Sequence, residues 1–187
     1  MGTKEILLEL LSDNATALIV KKHRKYSVTF IEKSDEKSDE KLYEFELSQI
    51  PEDSIVIKCD TFPNLGEDGS KFFKGDNGEC KRADYVLISE SEKVIMLFEF
   101  KKSNKSSTKK DKCLQLKGAK CVVDYCKIIA ESFLGTRNIF DGFQYKYYII
   151  YHTFSRKIPH LAIDLPSNFT PDTPRIIAGP FISFGYL

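Results

Sequence analysis

Residues 83–101 read ADYVLISESEKVIMLFEFK. Two apolar, β-rich runs, 83–89 and 94–101, are separated by Glu90, Ser91, Glu92 and Lys93, which is the pattern of an antiparallel hairpin. The second run is apolar at nearly every position and predicts a central strand covered on both faces. Two charged residues stand near its end, Glu99 and Lys101. Side chains at i and i+2 share a strand face, so Glu99 and Lys101 point one way and Phe98 and Phe100 the other. A hairpin centred on residues 91–92 sets Asp84 opposite roughly residue 99. A carboxylate in so apolar a strand is costly to bury unless it is paired or holds a cation. Two carboxylates, a main-chain carbonyl at Phe100 and an adjacent lysine make an all-oxygen site suited to magnesium, which keeps several of its waters. Manganese is expected to substitute.

Downstream of the hairpin, a lysine-rich loop leads into a helical pattern from about residue 110 to 134. Leu114, Cys121, Tyr125, Ile128 and Ile129 form its predicted apolar face and Gly135 its C-terminal stop. Residues 145–154 (YKYYIIYHTF) read as a strand. The tail carries Pro159, Pro166, Pro171, Pro174 and Pro180; it is expected to wrap the surface, with 181–184 as a last short strand. Upstream, residues 4–11 (KEILLELL) predict a short helix with Thr3 as N-cap. Residues 17–20 and 26–31 flank the basic cluster Lys21-Lys22-His23-Arg24-Lys25 and predict a hairpin with a charged tip. Residues 42–47 alternate apolar and acidic, a half-exposed strand, and 54–59 form another. Residues 61–79 are a long loop in which Asp76-Asn77-Gly78 is a turn rather than a calcium loop. This order predicts a mixed α/β (α+β) layer fold. We read one domain over 1–187, with a β-rich N-terminal part at about 15–60 and a core at about 80–155.

The 187 residues carry a formal net charge of +1, so the overall charge points to no polyanion. The distribution does. Residues 101–127 hold nine lysines and two acids, a net of +7, whereas residues 32–53 hold nine acids and three lysines, a net of −6. The acidic stretch includes the tandem repeat Ser34-Asp35-Glu36-Lys37 and Ser38-Asp39-Glu40-Lys41, read as a solvated loop or hairpin tip. Basic clusters beside a chemical motif favour a polyanionic partner. No apolar run approaches the ~18 residues of a membrane span, and no secretory signal is expected. Five cysteines, an odd number with no C-x-x-C pair, predict reduced thiols, no metal cluster and a cytoplasmic protein. There is no P-loop, G-x-S-x-G or dinucleotide fingerprint. Of the three histidines, His152 is read as structural, while His23 in the basic tip suits phosphate contact.

Arg82-Ala83-Asp84, then fourteen residues, then Glu99-Phe100-Lys101 resembles the PD-(D/E)xK phosphodiesterase (restriction-endonuclease-like) superfamily of restriction endonucleases, resolvases, exonucleases and repair nucleases. The likeness covers about 50 residues, hairpin through lysine-rich helix, with Ala83 in place of the motif's proline. It implies a restriction-endonuclease-like core, a mixed central sheet of four strands flanked by helices. Gln115 falls where many members carry a glutamine near the site. An acid on the first helix is also common there, for which Glu5 or Glu9 would serve.

The resulting expectation is a magnesium-dependent nuclease acting on DNA, in restriction, repair or defence. Asp84 and Glu99 would hold the metal with the Phe100 carbonyl, and Lys101 would orient or deprotonate the attacking water. Lys102, Lys105 and Lys109, with Lys22 and Arg24, would hold the phosphate backbone. Two alternatives stand beside it: a catalytically inactive nuclease-fold module binding nucleic acid or protein, and an RNA endonuclease on the same core. A homodimer is left open, and no membrane partner is expected.

Overall fold

A computed structural model describes residues 1–33, 42–62, 73–102, 108–152 and 170–187. Its elements are helix α1 (Thr3–Leu10), strands β1 (Ile19–Lys22), β2 (Lys25–Lys33), β3 (Leu42–Ile50), β4 (Ile55–Lys58), β5 (Tyr85–Ser89) and β6 (Val94–Lys101), helix α2 (Lys109–Phe133), and strands β7 (Gln144–Tyr151), β8 (Arg175–Ala178) and β9 (Phe181–Ser183). The β5–β6 hairpin pairs Tyr85 with Phe98 and Ser89 with Val94. Its turn is held from outside: the Asp53 carboxylate accepts from the Ser91 N–H and from the Ser89 and Ser91 hydroxyls.

The strands form two sheets of mixed direction, β1-β2-β3-β9 and β4-β5-β6-β7-β8. In the second, β4, β5 and β6 run as an antiparallel meander, and α2 crosses back so that β7 lies parallel to β6. The near-continuous apolarity of β6 has the reason expected, because both of its faces are covered. Ile95 and Leu97 join the core beneath α1 and α2. Val94, Met96, Phe98 and Phe100 join a second core against the four-stranded sheet. There the Phe100 ring centroid lies 4.9 Å from that of Phe30 and 4.5 Å from that of Phe45. The layers are therefore sheet, sheet, helices. The Tyr85 hydroxyl donates to the Ile31 carbonyl at 3.1 Å, fixing where β2 crosses β5.

Several expectations change. Gly2, not Thr3, occupies the N-cap of α1; Thr3 is buried, its hydroxyl donating to the Ile139 carbonyl. The buried face of α2 is rotated from the predicted one. Cys113, Leu116, Ala119, Val122, Val123, Cys126 and Ala130 are inside, while Tyr125 and Ile128 are 50% and 57% exposed and Cys121 faces out. Close approach decides this. At Gly118 a Cβ would lie 1.6 Å from the Lys81 carbonyl oxygen, so the helix packs through its small residues. The tail is also more ordered than its prolines suggest, since β8 extends the central sheet beside β7 and β9 pairs parallel with β3. β4, assigned to the N-terminal part, belongs to the core sheet. The Ser-Asp-Glu-Lys repeat and most of the 61–79 loop lie outside the described residues. The Asp76 turn does form, with Glu79 accepting from the Gly75 and Asn77 N–H groups. All five cysteines are free thiols, and no described helix is long and apolar enough to cross a membrane.

Candidate active site

The β5–β6 pairing is regular as far as Tyr85 and Phe98, one step short of the Asp84–Glu99 pair that the hairpin arithmetic expects. There the register slips by one residue, with Asp84 N–H donating to the Phe98 carbonyl at 3.1 Å while its own C=O accepts from Cys59 N–H on the β4 side. The Asp84 carboxylate accepts from the Phe100 N–H at 2.6 Å, so the side chain prolongs the ladder where the strand ends. Alternation along β6 puts Glu99 with Leu97 on the helix-covered side, and Lys101, two residues on, joins them. The Asp84 charge is close enough to act on both Glu99 and Lys101.

Glu99 is fully buried. Lys101 Nζ lies 2.5 Å from its Oε1, and Oε2 has no hydrogen-bond partner among the described residues. Burial, and then the Asp84 charge, push the Glu99 carboxyl up to about 9 against the opposing pull of Lys101. Burial by itself would lower the Lys101 ammonium, but Glu99 and Asp84 outweigh it and hold its pKa above the usual lysine value. The N–H and C=O of one strand residue point to the same side. Because the Phe100 N–H meets Asp84, the Phe100 carbonyl is turned to that side too.

Magnesium takes one or two carboxylates and fills its remaining positions with water and substrate oxygens. A buried carboxylate oxygen without a donor among the described residues, a second carboxylate close by and a nearby carbonyl fit that ion. Among the described residues no cluster of three or more His, Cys, Asp or Glu side chains forms, so a cation here relies on water and substrate for its other ligands. The Cys59 thiol is nearby, its N–H donating to the Asp84 carbonyl at 2.9 Å, but burial raises its pKa well above the ordinary thiol value and leaves it no ligand for a hard ion.

The accessory residues fare unevenly. Glu5 belongs to the other end of the sheet: α1 begins there, with Thr3 N–H donating to Glu90 in the hairpin turn at 2.7 Å, and a Cβ at Gly2 would meet both Glu5 and Glu90 carboxylates. Glu9 is exposed on α1, and among the described residues makes no polar contact with the site. Gln115 is half-buried on α2 and makes no hydrogen bond there either. Lys22 and Arg24 lie away from the carboxylates. They sit at the tight β1–β2 turn, where His23 and Arg24 adopt positive φ. Neighbouring Lys21 donates to the Tyr26 hydroxyl at 2.9 Å, and Tyr26 donates to Glu52, beside the Asp53 that holds the β5–β6 turn. β2 runs away from that tip toward the site, so the tip is a strand's length from Asp84. Lys102 faces the other side of the sheet, 5.7 Å from the Tyr43 ring centroid. Lys109 is exposed at the start of α2, and Lys105 lies outside the described residues. His152 packs edge-on to Tyr43 and Phe45, in the structural role expected.

By sequence Glu32 is one acid in a run. The crossing of β2 over Tyr85 brings its charge close enough to raise the pKa of both Glu99 and Lys101. Behind the site, the α2 N-terminus is built by a capping box, in which Asp111 N–H donates to Thr108 Oγ1 at 3.1 Å. Lys81 pairs with Asp111 and, with the Thr108 hydroxyl, holds that carboxyl down to about 2, tying the segment before Asp84 to the helix. An apolar cleft of about 370 Å³ between α1 and α2, lined by Leu10, Leu11, Phe62, Tyr125 and Ile129, contains none of these charged groups. Comparison of the chain with protein-family models, curated proteins and solved structures returned no match.

Proposed function

We propose that the chain is a magnesium-dependent nuclease that hydrolyses phosphodiester bonds in DNA. One observation carries the reading: the Asp84 carboxylate lies at the end of the hairpin close to Glu99, with Lys101 beside them and a buried Glu99 oxygen left without a donor among the described residues. The β4–β7 strands with α1 and α2 on one side suit the four-stranded core that the PD-(D/E)xK resemblance implies, although a second sheet stands where further helices were expected. Asp84, Glu99 and the Phe100 carbonyl would hold the ion. Bound there, magnesium supplies Lewis-acid activation of water and phosphate. Lys101 would turn from Glu99 to orient the attacking water and offset negative charge developing on the phosphate. Lys105 and Lys109 would hold backbone phosphates, which gives affinity without sequence choice.

The test is cleavage and gel-shift run in parallel on linear and supercoiled DNA, and on RNA, with magnesium, manganese, calcium or chelator. Magnesium and manganese should support cleavage. Calcium, with longer bonds and looser geometry, should support binding alone. Cleavage in chelator, or by Glu99→Gln, overturns the assignment. A second reading has its own support, because the site is closed by its own contacts, Lys101 on Glu99 and the Phe100 N–H on Asp84. A nuclease-fold module that binds nucleic acid or protein without cutting would keep those contacts. It would show no magnesium-dependent rise in Tm.

A further inference from the structure

One charged group on the same sheet face is not used by that reading. Lys112, on the first turn of α2, is 3% exposed. Its Nζ donates to Tyr151 Oη at 2.9 Å and stands 5.1 Å from the centroid of that ring. Among the described residues no carboxylate lies within ion-pair distance of it. Taking an ammonium out of water costs several kcal/mol when no counter-charge accompanies it. A neutral hydroxyl and a π-face offset part of that cost and leave the charge uncompensated.

The position of the pair gives this charge a purpose. Tyr151 is the β7 partner of Lys101, and its side chain belongs to the helix-side core with Ile149. Across this end the sheet therefore presents Asp84, then Glu99 with Lys101, then Tyr151 with Lys112. Acids lie toward β5 and cations toward β7. Lys101 is committed to Glu99, whereas Lys112 is committed to no acid among the described residues. A buried cation so placed, one strand from an all-oxygen carboxylate pair, suits an anion that arrives with the substrate.

We propose that Lys112, held in place by Tyr151, binds a non-bridging oxygen of a substrate phosphate other than the one attacked at Asp84 and Glu99. The identity of the ligand rests on the nuclease reading. The same chemistry serves an internal phosphodiester or a terminal phosphate, and the test separates them.

Labelled DNA is bound in calcium by the parent, Lys112→Met, Lys112→Arg and Tyr151→Phe. Single linkages are replaced in turn by neutral methylphosphonates, and the terminal phosphate is present or absent. Neutralising one phosphate should weaken the parent at least about tenfold, the range for hydrogen bonds to charged groups, and leave Lys112→Met unaffected at that position. The salt slope of Lys112→Met should fall by about one, and Lys112→Arg should recover most of the affinity. The sensitive phosphate, internal or terminal, names the source. Tyr151→Phe keeps the charge and should weaken binding about threefold, which preserves the test if Lys112→Met does not fold. Equal sensitivity of parent and Lys112→Met at every phosphate overturns the proposal. Inorganic phosphate, read by thermal unfolding, gives an arm independent of DNA, and it should raise the Tm of the parent and not that of Lys112→Met. If the parent ignores DNA but keeps this protection, the nuclease reading fails and the anion site stands. If the parent cuts DNA and Lys112→Met binds and cuts equally well, the anion site fails and the nuclease reading stands.

Discussion

Replacing Glu99 by glutamine should make the metal-free protein more stable at neutral pH while abolishing its cleavage of DNA. The Glu99 carboxyl is pushed from 4.5 in the unfolded chain to about 9 in the fold, by burial first and by Asp84 second. The sign follows from linkage. Below about pH 4.5 both states are protonated and the shift contributes nothing. As pH rises, the unfolded chain gives up the proton and the folded chain keeps it, so stability falls by about 1.4 kcal/mol per pH unit until the folded pKa is reached. At neutral pH the ceiling is roughly 3 kcal/mol. A glutamine amide in its place has no such proton to hold. Against that gain, Lys101 would lose the partner 2.5 Å away and keep only Asp84. A net gain of about 1–3 kcal/mol results, worth roughly 2–12 °C in Tm for a chain of this length.

The assay is urea unfolding of both proteins in chelator across a pH series. The difference should be near zero at about pH 4, grow through neutrality, and level off above about pH 9. A Glu99→Gln protein less stable than the parent at every pH would refute the reasoning, because the Glu99–Lys101 pair would then be a net stabilising contact. Magnesium supplies a second check: it should raise the Tm of the parent and not that of the glutamine variant.

Lys101→Met should remove cleavage with little loss of DNA affinity, whereas replacing Lys105 and Lys109 together should weaken binding and lower its salt slope by up to about two; cleavage and anisotropy assays on the same preparations separate the roles. Replacing Lys22 and Arg24 together should leave cleavage and short-duplex binding unchanged, since the β1–β2 turn lies at the end of the fold remote from Asp84; a large loss of affinity on a short duplex would place the substrate there instead. Gly118→Ala should be severely destabilising, by about 3 kcal/mol or more, because its Cβ would overlap the Lys81 carbonyl and force α2 away from the strand entry; an unchanged unfolding midpoint would mean that the helix does not approach so closely.

The sequence carried most of the fold where local chemistry decides it. Apolar runs bounded by turn residues marked β4, β5, β6 and β7, and Gly135, which adopts φ +66°, ended α2 as its position predicted. What was not legible depends on approach between distant segments. Hydropathy favours Tyr125 and Ile128 over Ala119 and Ala130 as an inward face, and only the fit of Gly118 against Lys81 reverses that choice. Of the two tail strands, β9 was expected at 181–184 and only β8 was hidden, for a related reason. Arg175–Ala178 is four residues long, and its assignment as β8 comes from the open edge of β7, which its own sequence does not reveal.

The site divides along the same line. Asp84, Glu99 and Lys101 come from one hairpin, and the register of a short hairpin is arithmetic once its turn is located, here as far as the slip at Asp84. Lys112 and Tyr151 lie 39 residues apart, and they meet because β7 returns parallel to β6 and α2 covers both. Glu32 is harder still. By residue type it does not differ from Glu44, which pairs with Ile31 on the adjoining strand. Glu32 acts on Glu99 because β2 crosses the hairpin there, held by Phe30 packed on Tyr85, Phe98 and Phe100 and by the Tyr85 hydroxyl on the Ile31 carbonyl. A Tyr85→Phe change would loosen that hold without touching any charge. It should let the pKa of Glu99 fall toward the ordinary carboxylate range as Glu32 moves away. The stability difference between parent and Glu99→Gln should therefore be smaller at neutral pH in the Tyr85→Phe background. Glu32 is the smallest of the influences on that carboxyl, so the change should be modest, and an unchanged difference would show that burial, Asp84 and Lys101 set the Glu99 proton without it.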